Sequence, residues 1–233
     1  MGANGFERFY WRQRNSLEKR LANLVQGKPD AFLAECKGVV HVGANAGHEA
    51  GFYAGHGLAV LWVEPIPTVF AELEENIAAW PNQRAVQALV TDKDGESYAF
   101  NVSGNGGQSS SIYEWGGHKE MYPTIDFVDK LELTSTTLAR IVGREGIDPS
   151  AYDALIMDTQ GSELLVLKGA EPLLAGFRYI KTEAADFEAY KGCATLDDIT
   201  DWLESRGFKM KRRIRNKTRN NLGSYYDAVY ERF

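Results

Sequence analysis

The chain has 233 residues, of which 44% are hydrophobic and 25% charged, with a formal net charge of -6. That balance fits a globular protein built on one large α/β domain. The acidic charge argues against a general nucleic-acid binder, and no apolar run reaches the roughly 20 residues of a membrane helix. Met1 to Arg20 is polar and rich in Arg and aromatics, without the apolar segment of a secretory signal. Cys36 and Cys193 have no metal-ligand spacing and suit reduced thiols, so a cytoplasmic protein is expected.

Residues 6–25 repeat apolar side chains at three- and four-residue steps (Phe6, Phe9, Leu17, Leu21, Leu24) and predict an N-terminal helix, closed by Gly27-Lys28-Pro29. The segment 1–30 is therefore expected as a helical extension, its aromatic face offering a contact to a second copy, ahead of one domain over 31–233. Alternating units follow: strand 38–43, helix 46–55, strand 58–64, helix 67–80 and strand 84–91. A Gly- and Ser-dense stretch from Lys93 to Pro123 reads as irregular. Then come strand 131–137, helix 138–145, a fourth core strand 154–158, helix 162–175, strand 177–183 and helix 195–206. Two final strands, near 208–215 and 224–232, are joined by a basic loop. Alternating strands and helices imply a doubly wound, mostly parallel sheet, here closed by a terminal antiparallel pair.

The most informative stretch is Val39-Val40-His41-Val42-Gly43-Ala44-Asn45-Ala46-Gly47, with Glu64 ending the next strand. Gly43 and Gly47 allow a tight turn and close backbone approach to a ligand, and the helix that follows offers free N–H groups to an anion. Glu64, 21 residues after Gly43, is placed to accept hydrogen bonds from ribose hydroxyls. An adenosine-containing cofactor is expected. A dinucleotide site wants glycine at the centre of the turn, where Asn45 stands; its side chain crowds a pyrophosphate and suits the methionine end of S-adenosylmethionine. Asp92, near the end of the third strand, completes the expected cofactor set.

The chain resembles the FkbM-type family of S-adenosylmethionine-dependent methyltransferases. The likeness is carried in order by His41 to Gly47, Glu64-Pro65-Ile66-Pro67, Gly107 to Ile112, Thr136-Thr137-Leu138, Met157-Asp158-Thr159-Gln160-Gly161-Ser162-Glu163 and Val166 to Ala170. It implies a class I methyltransferase fold, a Rossmann-like sheet of seven strands, and O-methylation of a hydroxyl on a sugar, glycan or small natural product. Class I enzymes commonly carry an acid where this chain has His41, so the contact to the methionine ammonium is unassigned.

Methyl transfer to an alcohol needs donor and acceptor aligned and the hydroxyl proton removed. Asp158, ending an apolar strand at the ligand edge of the sheet, is the first catalytic candidate, able to touch the cofactor, take the proton or hold a divalent cation. Its plainer role is capping the following helix. Glu183, ending the next strand, is expected beside it as a second cation ligand, with Asp186 a third. His118 is the best histidine for a general base; His48 and His56 read as structural. The loop ahead of His118, Gly106 to Tyr113, is read as a lid whose serines and Gln108 meet a polar acceptor. Tyr113, Trp115 and Tyr122 read as a sugar-stacking surface, Tyr190 as part of an acceptor loop, and Cys193, Trp62 and Trp202 as packing.

Lys209 to Arg219 carries seven positive charges in eleven residues. It reads as a solvated face, or as a patch for an anionic acceptor. Two other readings compete with methyl transfer. A nicotinamide-dependent oxidoreductase could use the same turn and Glu64, but the middle glycine and a Tyr-x-x-x-Lys pair are missing. An RNA-binding module could use the basic run, against the acidic net charge.

Overall fold

The computed structural model describes residues 30–233. The expected helix over 6–25, and with it the extension and its contact to a second copy, lies outside the described residues. Leu33–Phe233 form one compact unit.

The main sheet begins with β1 (Gly38–Val42), every residue of which is buried, as a strand covered on both faces requires. A short helix α1 (Ala50–Gly55) leads to β2 (Ala59–Glu64). Helix α2 (Pro67–Ile77) opens on Pro67, whose fixed φ suits a first turn, and buries Leu73 and Ile77. After β3 (Gln83–Gln87) the chain leaves the main sheet. β4 (Leu89–Val90), β5 (Ser97–Ser103) and β6 (Phe127–Thr136) form a separate sheet in the order β4-β6-β5, with the short helix α3 (Gly117–Met121) between the last two. Helix α4 (Leu138–Arg144), N-capped by Thr137, returns the chain to β7 (Ala154–Met157). Helix α5 (Glu163–Gly169), β8 (Tyr179–Ala185), helix α6 (Leu196–Glu204), β9 (Phe208–Arg219) and β10 (Gly223–Arg232) complete it.

The seven-stranded order is β3-β2-β1-β7-β8-β10-β9. The first five strands run parallel, and β10 is antiparallel to both neighbours. The doubly wound sheet expected from the sequence is therefore present. Its strand order reverses between β1 and β7, where ligands bind in open α/β sheets. Val40, Leu61, Leu155, Ile180, Leu167 and Ile199 lie in the core beneath that point, each at most 2% exposed; burying such a side chain contributes about 1.5–3 kcal/mol.

Several boundaries differ from the sequence reading. The strand expected over 84–91 breaks at Ala88, whose N–H donates to the Glu64 carbonyl, so its two parts join different sheets. The stretch expected to be irregular contains β5 and α3, and the strand expected over 131–137 begins at Phe127. Helix 162–175 is interrupted: Pro172 starts a separate 3-10 turn, Glu171–Gly176. The basic run lies within β9 rather than in a loop.

Candidate active site

A cleft of about 590 Å³ opens at the ends of β1, β2 and β7, walled by Gly43, Asn45, Glu64, Ile66, Phe100, Gln108 and Asp158 among others. Its floor is made by strand ends that bond to one another. Gly43 and Ala44 donate to the Val63 carbonyl, and Asp158 donates to that of Val42. Gly43 has φ +77, and a Cβ there would stand 2.0 Å from the Asp158 carbonyl oxygen, so only glycine fits this junction.

Asn45 also has positive φ, 46°, a conformation asparagine tolerates better than most residues. Its backbone N–H donates to Glu64 Oε2 at 2.9 Å, and its side-chain Nδ2 donates to the Gly106 carbonyl at 3.0 Å. The Ile66 N–H donates to Glu64 Oε1 at 3.0 Å. Glu64 is 4% exposed. Burial pushes its carboxyl up to about 7, against the lowering effect of those two N–H groups and with a further push from Asp158.

Asp158 opens to the water of the cleft, yet its surroundings are mostly protein and acidic. Desolvation first, then Glu163, Asp227 and Glu49, hold its carboxyl above the ordinary carboxylate range, while a hydrogen bond from Gln160 Nε2 pulls the other way. The turn that presents it is fastened by Glu163, a buried carboxylate that accepts from the backbone N–H of Thr159 at 2.9 Å and of Gly161 at 3.0 Å. This is a helix-start acid folding back on its own N-terminus. Ser111 Oγ, in the loop after β5, donates to the Gln160 carbonyl at 2.7 Å and closes the turn.

The donor set fits an adenosyl ligand with a zwitterionic tail. Each Glu64 oxygen, held by one N–H, keeps acceptor capacity for ribose hydroxyls. Ile66, Ala88, Leu89, Val90 and Phe100 supply an apolar wall for a base, and Asn45, Gln108 and Ser110 supply polar groups. A doubly wound sheet with a cleft at its switch point, and a buried acid at the end of the second strand, defines a class I S-adenosylmethionine-dependent methyltransferase. The methyltransferase FkbM domain model matches residues 41–210, and the chain belongs to that family. Magnesium protoporphyrin IX methyltransferase from Synechocystis PCC 6803 has a similar fold. With bound S-adenosylhomocysteine it gives a TM-score of 0.51 at 13% identity, covering 100% of this chain and 89% of that one. With bound S-adenosylmethionine the values are 0.50 and 13%, covering 98% and 85%. No curated protein matches the chain.

Gly43, Asn45, Glu64 and Asp158 meet in the cleft as expected from the sequence. The other expected site residues do not. Gly47 packs on α2, where a Cβ would lie 2.5 Å from Leu73 Cδ1, so its glycine serves packing rather than ligand approach. The helix after the turn begins only at Ala50 and is six residues long, and the Asn45 N–H serves Glu64 in place of an anion. Asp92 follows the switch into the second sheet and is not among the cleft walls, which end at Val90 on that side. His41 is buried in β1, stacked on Trp62 at 5.1 Å with Tyr53 Oη 3.2 Å from its Nδ1.

His118 is 4% exposed within a group of rings: Trp115 and Tyr190 stack on it at 5.1 and 5.0 Å, and Tyr225 Oη lies 2.6 Å from its Nδ1. Burial, with Lys217 nearby, pushes its pKa down to about 4. The imidazole is neutral, enclosed and not among the cleft walls, so the expected base role is corrected to a structural one. Trp115 also stacks on Phe127 at 3.7 Å, and Lys217 covers Tyr122. The expected sugar platform is instead rings packed on each other. The expected lid is tied down to the residues just ahead of it: Ser103 N–H donates to Ser110 Oγ at 2.9 Å and Asn105 Nδ2 to Ser109 Oγ at 3.0 Å. Only Gly107, Gln108 and Ser110 of that loop face the cleft.

The expected cation pair has no shared site. Glu183 lines a second cavity of about 270 Å³, without Asp158, and accepts from Asn216 Nδ2 at 3.0 Å. Asp186 ties β8 to β10 through Ser224 N–H and Tyr226 Oη. Among the described residues no group of three or more His, Cys, Asp or Glu side chains could hold a metal. Cys193 packs against Gly161 with its thiol pushed up by burial, in keeping with the packing role. In the basic strand, Lys211 pairs with Glu231 at 3.0 Å, and Arg213 and Lys209 cover Tyr226 and Phe233. No helix of the described residues is long and apolar enough to cross a membrane.

Gln160 and Glu163 stand in the Met157–Glu163 motif of the resemblance, but the sequence reading gave neither a role. The available signal was an acid opening α5 two residues after glycine, in Gln160-Gly161-Ser162-Glu163.

Proposed function

We propose that the protein methylates a hydroxyl of a sugar, glycan or small natural product, with Asp158 as the base that receives the hydroxyl proton. The observation that supports this is the position of Asp158: an acid with a raised pKa, at the end of β7, in the same cleft as Glu64. A base titrating near the working pH combines a useful deprotonated fraction with real proton affinity.

S-adenosylmethionine, when bound, supplies an electrophilic methyl on a sulfonium. Glu64 accepts the ribose hydroxyls and fixes the ligand in register with the strand ends. The apolar wall from Ile66 to Val90 and Phe100 takes the base and excludes water from that side. Asn45, held in its turn by Glu64 and Gly106, presents polar atoms to the amino-acid tail. Asp158 would orient the acceptor oxygen and take its proton as the oxygen–carbon bond forms and the carbon–sulfur bond breaks, its electron pair leaving with the sulfur of S-adenosylhomocysteine. The acceptor is a neutral hydroxylated compound on this reading, since Glu163, Asp227 and Glu49 make the surroundings of Asp158 acidic.

The experiment is transfer of labelled methyl from S-adenosylmethionine to a panel of hydroxylated sugars and natural products. Activity on a member of the panel, lost about 10²–10⁴-fold in Asp158→Asn with unchanged S-adenosylhomocysteine affinity, supports the proposal. Transfer only to nitrogen acceptors, or full turnover by Asp158→Asn, sinks it.

A further inference from the structure

Gln160 stands on the wall between the cleft and the second cavity and lines both. Its side-chain Nε2 donates to Asp158 Oδ1, and its Oε1 accepts from the Tyr190 hydroxyl at 2.6 Å. Tyr190, 1% exposed, belongs with Glu183 and Cys193 to the second cavity. One amide therefore joins an acid of the cofactor cleft to a phenol of the neighbouring cavity.

The backbone at Gln160 has φ 54, a left-handed conformation that strains a non-glycine residue. Gly161, next in the chain, also has positive φ, 104°. The strain is held by bonds on all sides: Ser111 takes the Gln160 carbonyl, and Glu163 takes the N–H groups before and after it. A backbone over-determined in this way aims a side chain. The aim is set by both ends of the amide, because turning it over would put an N–H toward the Tyr190 hydroxyl and a carbonyl toward a carboxylate.

Building on the role proposed above for Asp158, we infer that Gln160 is a positioning residue that links the two cavities, so that contact with Tyr190 reaches the Asp158 carboxylate through one amide. An acceptor hydroxyl that competes for the Tyr190 O–H loosens the amide and with it the hydrogen bond that holds Asp158. The other charges acting on Asp158 come from Glu49 ahead of α1, Glu64 on β2, Glu163 on α5 and Asp227 on β10. All are acidic, so the Gln160 amide opposes them.

The test follows the Asp158 carboxyl by carbon NMR across pH in the whole, ligand-free protein, with Asp158→Asn assigning the signal. Gln160→Met keeps the length and removes the donor; its Asp158 midpoint is expected to rise by about one pH unit. Tyr190→Phe is expected to raise it by less, and the double variant no further than Gln160→Met alone, since one chain of bonds is cut either way. Gln160→Asn, tolerant of the same backbone but one methylene short, serves if the methionine variant does not fold. An unmoved midpoint in the Gln160 variant, or single effects that add, overturns the inference. Calorimetry with S-adenosylhomocysteine on the wild-type protein separates the failures: no uptake there counts against the methyl-transfer reading and leaves the NMR pattern to decide the link.

Discussion

The backbone N–H of Asn45 and the carboxylate of Glu64 are joined at 2.9 Å, although 19 residues separate them in the chain. This bond locks the turn after β1 to the end of β2. With Ile66 holding the other oxygen, it aims the carboxylate before any ligand arrives. A preorganised acceptor loses less freedom on binding than one that must be ordered.

Glu64→Gln should therefore weaken S-adenosylhomocysteine binding about 10–100-fold by calorimetry, equivalent to about 1.4–2.7 kcal/mol. The amide keeps one oxygen acceptor and sets its NH₂ against a backbone N–H. Unchanged affinity would separate Glu64 from the ribose.

The pH response of the ligand-free protein follows from the same residue. The Glu64 carboxyl rises from 4.5 to about 7 in the fold. Between those values the folded chain keeps a proton that the unfolded chain has released, so this contribution is present below about 4.5 and is lost as pH rises through about 7. Hydroxyl donors favour the anion, so S-adenosylhomocysteine should raise the melting temperature more at pH 8 than at pH 5. Glu64→Gln should flatten the difference; an equal rise at both pH values in the wild type would contradict it.

His118 works in the opposite direction. Its folded pKa is lowered to about 4 from 6.5, so the unfolded chain binds the proton first, and stability falls as pH drops from about 6.5 toward 4. His118→Phe keeps a flat ring, removes that slope and leaves the Tyr225 hydroxyl without its His118 partner, at about 1–3 kcal/mol. Urea unfolding at pH 7.5 and pH 5 measures both effects. Methyl transfer per folded molecule should survive, and its abolition would restore the base role.

Asn45 separates backbone from side chain. Asn45→Gly keeps the positive φ and removes the tie to Gly106, so amide exchange should quicken around Gly106 with a modest loss of ligand affinity. Asn45→Ala adds backbone strain of about 1 kcal/mol and should be the less stable of the two. Equal stability would show that the turn relaxes.

The middle of the main sheet was legible because β1, β2 and β7 are largely apolar and the turn after β1 carries glycine at the right place. Gly43, Asn45, Glu64 and Asp158 could be placed because each stands at the end of such a strand. Asp92 misled because the break at Ala88 is a change of hydrogen-bond partner, which leaves no mark in the residue types. His118 misled because its burial comes from Trp115, Tyr190 and Tyr225, which are up to 107 residues away in sequence. Gln160 was missed because its significance lies in a backbone angle and two side-chain bonds, neither of which has a periodic signature.

β9 is twelve residues long and ends the sheet order, so among the described residues one side of its backbone pairs with no other strand. Such a border can zip onto the same border of another molecule. Seven cations in eleven residues make two of these borders repel each other. The repulsion weakens as salt rises, so a protein quiet in dilute buffer should begin to self-associate in concentrated brine, starting at this rim.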